Sequence, residues 1–499
     1  MTKGETMDLE HILFEKFSYT SFRTGQKEII ESVLEGQDTL ALLPTGSGKS
    51  LCYQLPGYIL PGAVLIVSPL ISLMQDQVEQ MKVRGEKRAV ALNSFLSPEE
   101  KSFVLKNLHF FKFIYISPEM LQSELIIRKL QEIEISLFVI DEAHCISQWG
   151  YDFRPDYLEL GKIRKLAGNP PILALTATAG EEVRRDIKKY LYMEEAKEYI
   201  YSTDRHNIAV SVIHAANYAE KREQLFDLVG RLEGPGILYF SSKKLADETA
   251  AEINRRFLGP AASYHADLDP EMRILLQQQF LYDELKIMCA TSAFGMGINK
   301  ENIRYIIHFH PPLTVEAYVQ EIGRAGRDGK KSLAILLFSE DDLFLQQQLI
   351  AGELPTEQQI DAFCKWLEKN QFKPVEWDRI EETYSGMGGY SEVQWRLLCK
   401  FYTKMHNRSS FPQAMKKFVD QRLQIKNKKL NEMISFIHHQ GCKREKLLRF
   451  FNEEKEQPIE NCCDYCGIDF SFYEDRNHAV QNKVSFQWKK RLGEIFKRM

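Results

Sequence analysis

The 499-residue sequence has no apolar run long enough to span a bilayer. Its opening stretch, MTKGETMDLEHILFEKF, lacks the apolar centre of a secretory signal. A cytoplasmic protein without a membrane partner is expected, associated with the nucleoid if the source is bacterial. Strong charge imbalance is missing too, with 65 Lys and Arg against 69 Asp and Glu. No repeat of fixed short period and no low-complexity tract occurs. Cysteine is sparse along most of the chain. Cys52, Cys145, Cys289, Cys364 and Cys399 lie apart, mostly in apolar or helix-like segments where a buried thiol is the default. Without a secretion signal, a disulfide framework is not expected.

What is present is an ordinary globular composition, 44% hydrophobic and 27% charged, in a chain long enough for two to four domains. Strand-like runs recur with helix-length segments between them: 39–43, 64–69, 113–118, 136–141 and 172–178, then 236–241, 262–265, 286–291, 305–309 and 333–338. Short β-branched runs alternating with helical patterns indicate parallel sheets with crossover helices. A polar interval near 200–220 divides them into two α/β domains. After about residue 345 helical patterns dominate, as in IDAFCKWLEKN and YSEVQWRLLCKFYTKM, the latter after the turn-like SGMGGY. These residues suit a helix-turn-helix or winged-helix module and a plain helical linker bundle equally. Between Lys400 and Phe451 stand thirteen Lys and Arg against three Asp and Glu. This stretch points either to a polyanion partner or to a solvated helical face.

The segment LALLPTGSGKS (40–50) combines a strand, a glycine loop and a helix start. Gly46 and Gly48 let backbone N–H groups, with those of Thr45 and Ser47, converge on phosphates. Lys49 brings a charge to the outer phosphates, and Ser50 a hydroxyl to Mg²⁺. The general phosphate-loop pattern has glycine where this chain has Leu43. Downstream, SLFVI leads into Asp141 and Glu142. One carboxylate is needed for Mg²⁺, assigned to Asp141, and one to orient and deprotonate the attacking water, assigned to Glu142. Arg324 and Arg327, in YVQEIGRAGRDG, stand three apart and are expected to share a helix face. Supplied across a domain cleft, they would meet the charge of the departing phosphate.

These motifs, taken together, resemble a superfamily-two helicase and, within it, a RecQ-like DNA helicase. SFRTGQ (21–26) is similar to the segment upstream of the phosphate loop, where the resemblance assigns adenine to Gln26 with support from Arg23. PTGSGKS is similar to motif I, DEAH to motif II, LTATA (175–179) to motif III, ATSAFGMGINK (290–300) to motif V and QEIGRAGRDG (320–329) to motif VI. SPLISLMQDQ (68–77) and YISPE (115–119) resemble strand-contacting motifs, which adds Ser68 and Thr291 as DNA contacts. CISQWGYDFRPDY (145–157) resembles the aromatic-rich loop of the family. There Trp149 and Phe153 would stack on bases and Arg154 would meet a phosphate or a base face. Packing of the domain cleft is the alternative for these aromatics. His144, beside the carboxylates, would carry a signal to motif III or VI.

CKREKLLRFFNEE and NCCDYC resemble the family's zinc-binding region, with Cys442, Cys462, Cys463 and Cys466 as ligands of a closed, structural site. Cys462 stands directly before the C-x₂-C, whereas the family places that cysteine two or three residues earlier. Glu460, His438 or His439 is an alternative ligand. Asn299 replaces the family's common Asp in motif V. The resemblance implies tandem RecA-like domains at 1–205 and 206–345. A helical segment at 346–430 departs from it by lying before the zinc region, and a winged-helix-like DNA contact is expected there. A zinc-binding subdomain at 431–470 and a basic tail at 471–499 complete the expected organisation. Residues 467–499 after the zinc region are too few for the winged-helix and HRDC domains of larger family members, so a short form is expected. The implied activity is ATP-dependent, 3′–5′ unwinding of duplex DNA in repair and recombination. Its partners would be single-stranded and tailed duplex DNA, with single-strand-binding or recombination proteins. Two rivals are a DEAH-like RNA helicase and a non-catalytic DNA-binding scaffold.

Overall fold

A computed structural model describes residues 8–93, 96–147, 154–257, 260–295, 300–370, 389–405, 408–455 and 457–474. The first sheet contains β1 (Thr39–Leu42), β2 (Ala63–Val67), β3 (Ala89–Leu92), β4 (Phe113–Ile116), β5 (Ile135–Ile140), β6 (Ile172–Thr176) and β7 (Lys197–Ile200). Their order is β3-β4-β2-β5-β6-β1-β7, every neighbour parallel. The second contains β8 (Ile208–His214), β9 (Gly236–Tyr239), β10 (Ala261–Tyr264), β11 (Ile287–Ala290), β12 (Tyr305–His308) and β13 (Ser332–Phe338). It runs β10-β11-β9-β12-β13-β8, again all parallel. These are the two expected RecA-like domains.

The apolar runs form central strands because both of their faces are covered. In β2, Leu65 and Val67 enter one core and Val64 and Ile66 the opposite one. β9 divides likewise, with Ile237 on one side and Leu238 on the other. This is the period-two alternation of a sheet buried twice. All ten expected strands are present, and three more appear. β3 and β7 are edge strands, and the exposed KEYI of β7 has too little apolar character to read as a strand. β8 corrects the reading of 200–220 as a polar divider: Ile208–Val212 is buried strand. In parallel sheets, ligands bind beyond the carboxyl ends of the strands. The ends of β1, β2, β5 and β6 accordingly lead to Leu43, Ser68, Asp141 and Ala177.

Beyond β13 come helices Asp341–Glu353, Glu357–Asn370, Glu392–Lys404, Phe411–Ile437 and Lys443–Phe450. Ser391 and Gln394 form a capping box that starts the third. Ile360, Phe363, Trp395, Leu398, Phe411 and Met415 share a separate core. Among the described residues of 346–430 there is no strand, and residues 371–388 lie outside them. Part of SGMGGY lies outside the described residues, as do 475–499. The helices straddle both domains: Lys400 pairs with Asp156 of the first and Lys429 with Glu316 of the second. At least six cations of the basic stretch are committed internally, these two joined by Lys416, Lys426, Arg444 and Arg449. Cys463 forms a parallel bridge to Val210, which docks the cysteine region on the edge of the second sheet.

Candidate functional site

The phosphate loop joins β1 to helix Leu51–Ile59. Gly46 and Gly48 have φ of +86° and +78°, the left-handed region that glycine enters without Cβ strain. Arg23 Nη1 donates to Gly46 O at 2.6 Å, and Gln26 Nε2 donates to Ser47 O at 2.8 Å and Gly48 O at 3.1 Å. Gln26 Oε1 accepts from Arg23 N at 2.9 Å. Both residues expected at the adenine therefore brace the loop itself in this state. Lys49 Nζ donates to Leu43 O at 3.4 Å. Burial draws its ammonium below the usual range, against the pull of Glu142 and Asp141. Arg23, Gln26, Thr45, Gly46, Gly48, Lys49, Ser50, Asp141, Glu142, Arg324 and Arg327 all line one cleft of about 270 Å³. Phe17 and Tyr19 line it as well, their rings stacked with centroids 6.4 Å apart. The FSY triplet before SFRTGQ was the available signal for them.

β5 delivers Asp141 to the cleft, and burial followed by the charge of Glu142 pushes its carboxyl up to about 7. Glu142 has φ +49°, an uncommon left-handed value for a side-chain-bearing residue. Glu142 Oε2 is buried and accepts no hydrogen bond among the described residues. A carboxylate oxygen left open in a cleft is what a water-orienting base requires. Thr176 Oγ1 gives its proton to Thr178 O at 3.1 Å. It also shares a 2.9 Å hydrogen bond with His144 Nδ1, which faces Glu142 Oε2 at 3.4 Å. His144 physically joins the DEAH segment to LTATA. Ser50, at the head of its helix, and Asp141 provide the hard oxygen donors that suit Mg²⁺.

Helix Val315–Ile322 ends before the two arginines, so their shared helix face is corrected: they lie on turns that follow it. The turns still bring both to the cleft. Arg324 donates through Nη1 to Gly295 O, tying QEIGRAGRDG to ATSAFG. Arg327 crosses to the other domain, where an ideal Cβ on Gly46 would stand 2.8 Å from its Cγ. Burial first, then Arg324 and Arg205, press its pKa down to about 9, still cationic at neutral pH. Arg205 was not legible as a site residue, because no motif surrounds it. Its guanidinium bonds both Thr45 O and the 323–326 turn.

Of the expected DNA contacts, Trp149 and Phe153 lie outside the described residues, as does Asn299. Arg154 closes the base of their loop. Its N–H donates to Cys145 O at 2.8 Å and its Nη1 to Pro69 O at 2.9 Å. Tyr157, just beyond, donates from its hydroxyl to Asp141 O at 3.1 Å. Ser68 is buried and lines the nucleotide cleft. Thr291 N donates to Tyr264 O at 3.1 Å and its own carbonyl accepts from Phe294 N at 3.0 Å.

Cys442, Cys462, Cys463 and Cys466 bring their sulfurs within 4.8 Å of one another. Cys442 Sγ lies 3.7 Å from Cys462 Sγ and 3.8 Å from Cys463 Sγ. Four thiolates about 2.3 Å from a tetrahedral Zn²⁺ stand about 3.8 Å apart, so the spacing fits. The adjacent pair is accommodated, and neither Glu460 nor a histidine completes the set.

Residues 23–186 match the DEAD/DEAH box helicase family, 220–329 the helicase conserved C-terminal domain and 404–467 the RecQ zinc-binding domain. Over 490 residues the chain is 47% identical to the probable ATP-dependent DNA helicase RecS of Bacillus subtilis (strain 168), covering 98% of each. The chain belongs to the RecQ family of DNA helicases. It is also 34% identical to the ATP-dependent DNA helicase RecQ of Haemophilus influenzae, covering 91% of this chain and 63% of that one. Among solved structures, the helicase MrfA bound to DNA superposes with TM-score 0.57 at 16% identity, over 68% of this chain and 52% of that one. This last likeness concerns the fold alone. As a RecQ-family member with helicase domains, the chain is an ATP-driven DNA helicase, and its cysteine cluster fits a structural zinc.

Proposed function

We propose that this chain moves 3′ to 5′ along single-stranded DNA and unwinds duplexes, serving repair and recombination. The observation that carries the motor reading is Arg327 of the second domain lying against Gly46 of the phosphate loop in the first. Hydrolysis then depends on cleft closure, because the cation that meets the departing phosphate comes from the opposite wall. Lys49 holds the outer phosphates, Ser50 and Asp141 hold Mg²⁺, and Glu142 orients the water. Arg23 and Gln26, released from the loop carbonyls, turn to the adenine, with Phe17 and Tyr19 beside it. Arg324 keeps the two motor segments of the second domain together. Strand contacts fall to Thr291, Trp149, Phe153 and Arg154, while Ser68 stays buried in the nucleotide cleft. Tyr157, Arg154 and His144 connect that strand site to Asp141 and Glu142. The helical segment at 346–430 adds a further DNA contact beside the aromatic loop, where Lys400 meets Asp156. Proteins that bind single strands or mediate recombination are its expected partners.

A strand-displacement assay with 3′- and 5′-tailed duplexes tests this reading. ATP-dependent release only from the 3′-tailed substrate supports it. Release from the 5′-tailed duplex reverses the polarity. ATPase stimulation by RNA rather than DNA oligonucleotides would remove DNA as the track.

A further inference from the structure

We propose that Arg205, on the short linker between the two sheet domains, is a positioning residue for ATP hydrolysis. It holds the turn that presents Arg327 to the phosphate loop, and the zinc-binding module holds Arg205 in place. The inference rests on Arg327 acting at the departing phosphate.

The linker runs between β7 and β8. Arg205 Nη1 donates to Thr45 O at 2.9 Å and Gly323 O at 3.1 Å. Its Nη2 donates to Ala325 O at 3.2 Å and Gly326 O at 2.6 Å. Three of these carbonyls belong to the turn directly before Arg327. The fourth directly precedes Gly46, over which Arg327 lies. One planar guanidinium therefore sets the spacing between the arginine turn and the phosphate loop. Asn207 clamps the far side of the turn, donating from Nδ2 to Gly326 O and Lys330 O, both at 2.8 Å. A lysine could not replace Arg205, since a single ammonium cannot span four carbonyls in a fixed plane.

The backbone of this linker is gripped in turn by the cysteine-bearing module. Arg444, two residues after Cys442 and 4% exposed, donates to the Asp204 carboxylate, to Arg205 O at 3.1 Å and to Ile208 O. The Glu453 carboxylate accepts from Thr203 N at 3.0 Å, from Thr203 Oγ1 at 3.0 Å and from Ser202 Oγ at 2.5 Å. Glu453 thus holds the linker before Arg205, and Arg444 holds it on both sides of Arg205, both from the same module. A zinc that fixes Cys442 and Cys462 fixes Arg444, and through it the arginine turn. Misplacing a catalytic group by about 1 Å costs on the order of 10²-fold in rate, so this chain of contacts has a measurable consequence.

The test compares full-length wild type with Arg205→Ala, Arg205→Lys, Glu453→Gln and Arg327→Ala in DNA-stimulated ATPase. Arg205→Ala is expected to lose about 10²-fold in kcat, with KM for ATP within about threefold, because the nucleotide still docks on the first domain. Arg205→Lys is expected to recover little of that loss. Glu453→Gln, with zinc content and melting temperature unchanged, is expected to lower kcat several-fold. Fluorescent donor and acceptor on the two sheet domains then report closure on a non-hydrolysable ATP analogue. Arg205→Ala should bind the analogue and close less. Wild-type kcat or wild-type closure in Arg205→Ala overturns the inference. If that variant does not fold, unchanged kcat in zinc-loaded Glu453→Gln overturns it. If Arg327→Ala keeps its turnover, the reading of Arg327 fails and takes this inference with it. If Arg327→Ala loses turnover while Arg205→Ala keeps it, this inference alone fails.

Discussion

Gly46 meets two constraints at one atom. Its φ of +86° costs a side-chain-bearing residue about 1–2 kcal/mol, and an added Cβ would displace Arg327. Gly46→Ala should therefore reduce DNA-stimulated ATPase by at least about tenfold while leaving DNA binding, read by fluorescence anisotropy, unchanged. His310 is the opposite sort of residue, remote from chemistry but tied to stability. Its Nδ1 accepts from Ser241 N at 3.1 Å, which requires the neutral ring. Burial, helped by Lys221, pushes its pKa down to about 3. The unfolded histidine titrates near 6.5, so between about 6.5 and 3 the unfolded chain binds the extra proton and acid destabilises the fold. His310→Asn, which keeps an acceptor, should flatten the fall in melting temperature across that window. At this scale the placement of Lys49, Asp141 and Glu142 in one cleft was legible because it follows from position relative to a strand end. Arg205 was not, since its partners are backbone carbonyls from two distant segments and leave no trace in local spacing.

The helices after β13 show how an element can mislead when read alone. Thirteen cations against three acids between Lys400 and Phe451 pointed to a polyanion partner or a solvated helical face. Several of those cations instead attach the helices to the motor domains. Lys429 pairs with Glu316, both side chains 11% exposed. Removing one member of such a pair leaves a buried charge uncompensated, at a cost of about 3–5 kcal/mol. Lys429→Met should lower the melting temperature accordingly but leave the salt dependence of DNA binding unchanged, because that lysine releases no counterion from DNA. Adding Glu316→Leu should restore much of the stability. The edge strand β7 was missed for a related reason. Its residues face solvent, so the apolar pattern that reveals central strands is absent from it.

Across the whole molecule, the aromatic loop and the ATP cleft share one support. The loop departs at Cys145 and returns at Arg154, which bonds back to Cys145 O and out to Pro69 O. Tyr157 then reaches the backbone of Asp141. A base stacked on Trp149 would thus act on the carboxylates through a short path of hydrogen bonds. Trp149→Ala should lower the stimulation of ATPase by DNA more than the basal rate. Equal losses in both would leave Trp149 a packing residue.

The central strands, the phosphate loop and the carboxylate pair were readable from the sequence itself, and the four cysteines through the family resemblance. The first three depend on short-range spacing or on burial of both faces of a strand, and both leave marks along the chain. Three matters were decided only by tertiary structure. Arg327 reaches Gly46 from a turn rather than a helix face, because closure of two domains sets that contact. Cys462 joins the four-sulfur cluster despite its adjacency to Cys463, at the corner where Cys463 bridges Val210. Lys400, Lys429 and Arg444 of the basic stretch are committed to pairs outside it, because their partners come from segments that folding alone brings beside them.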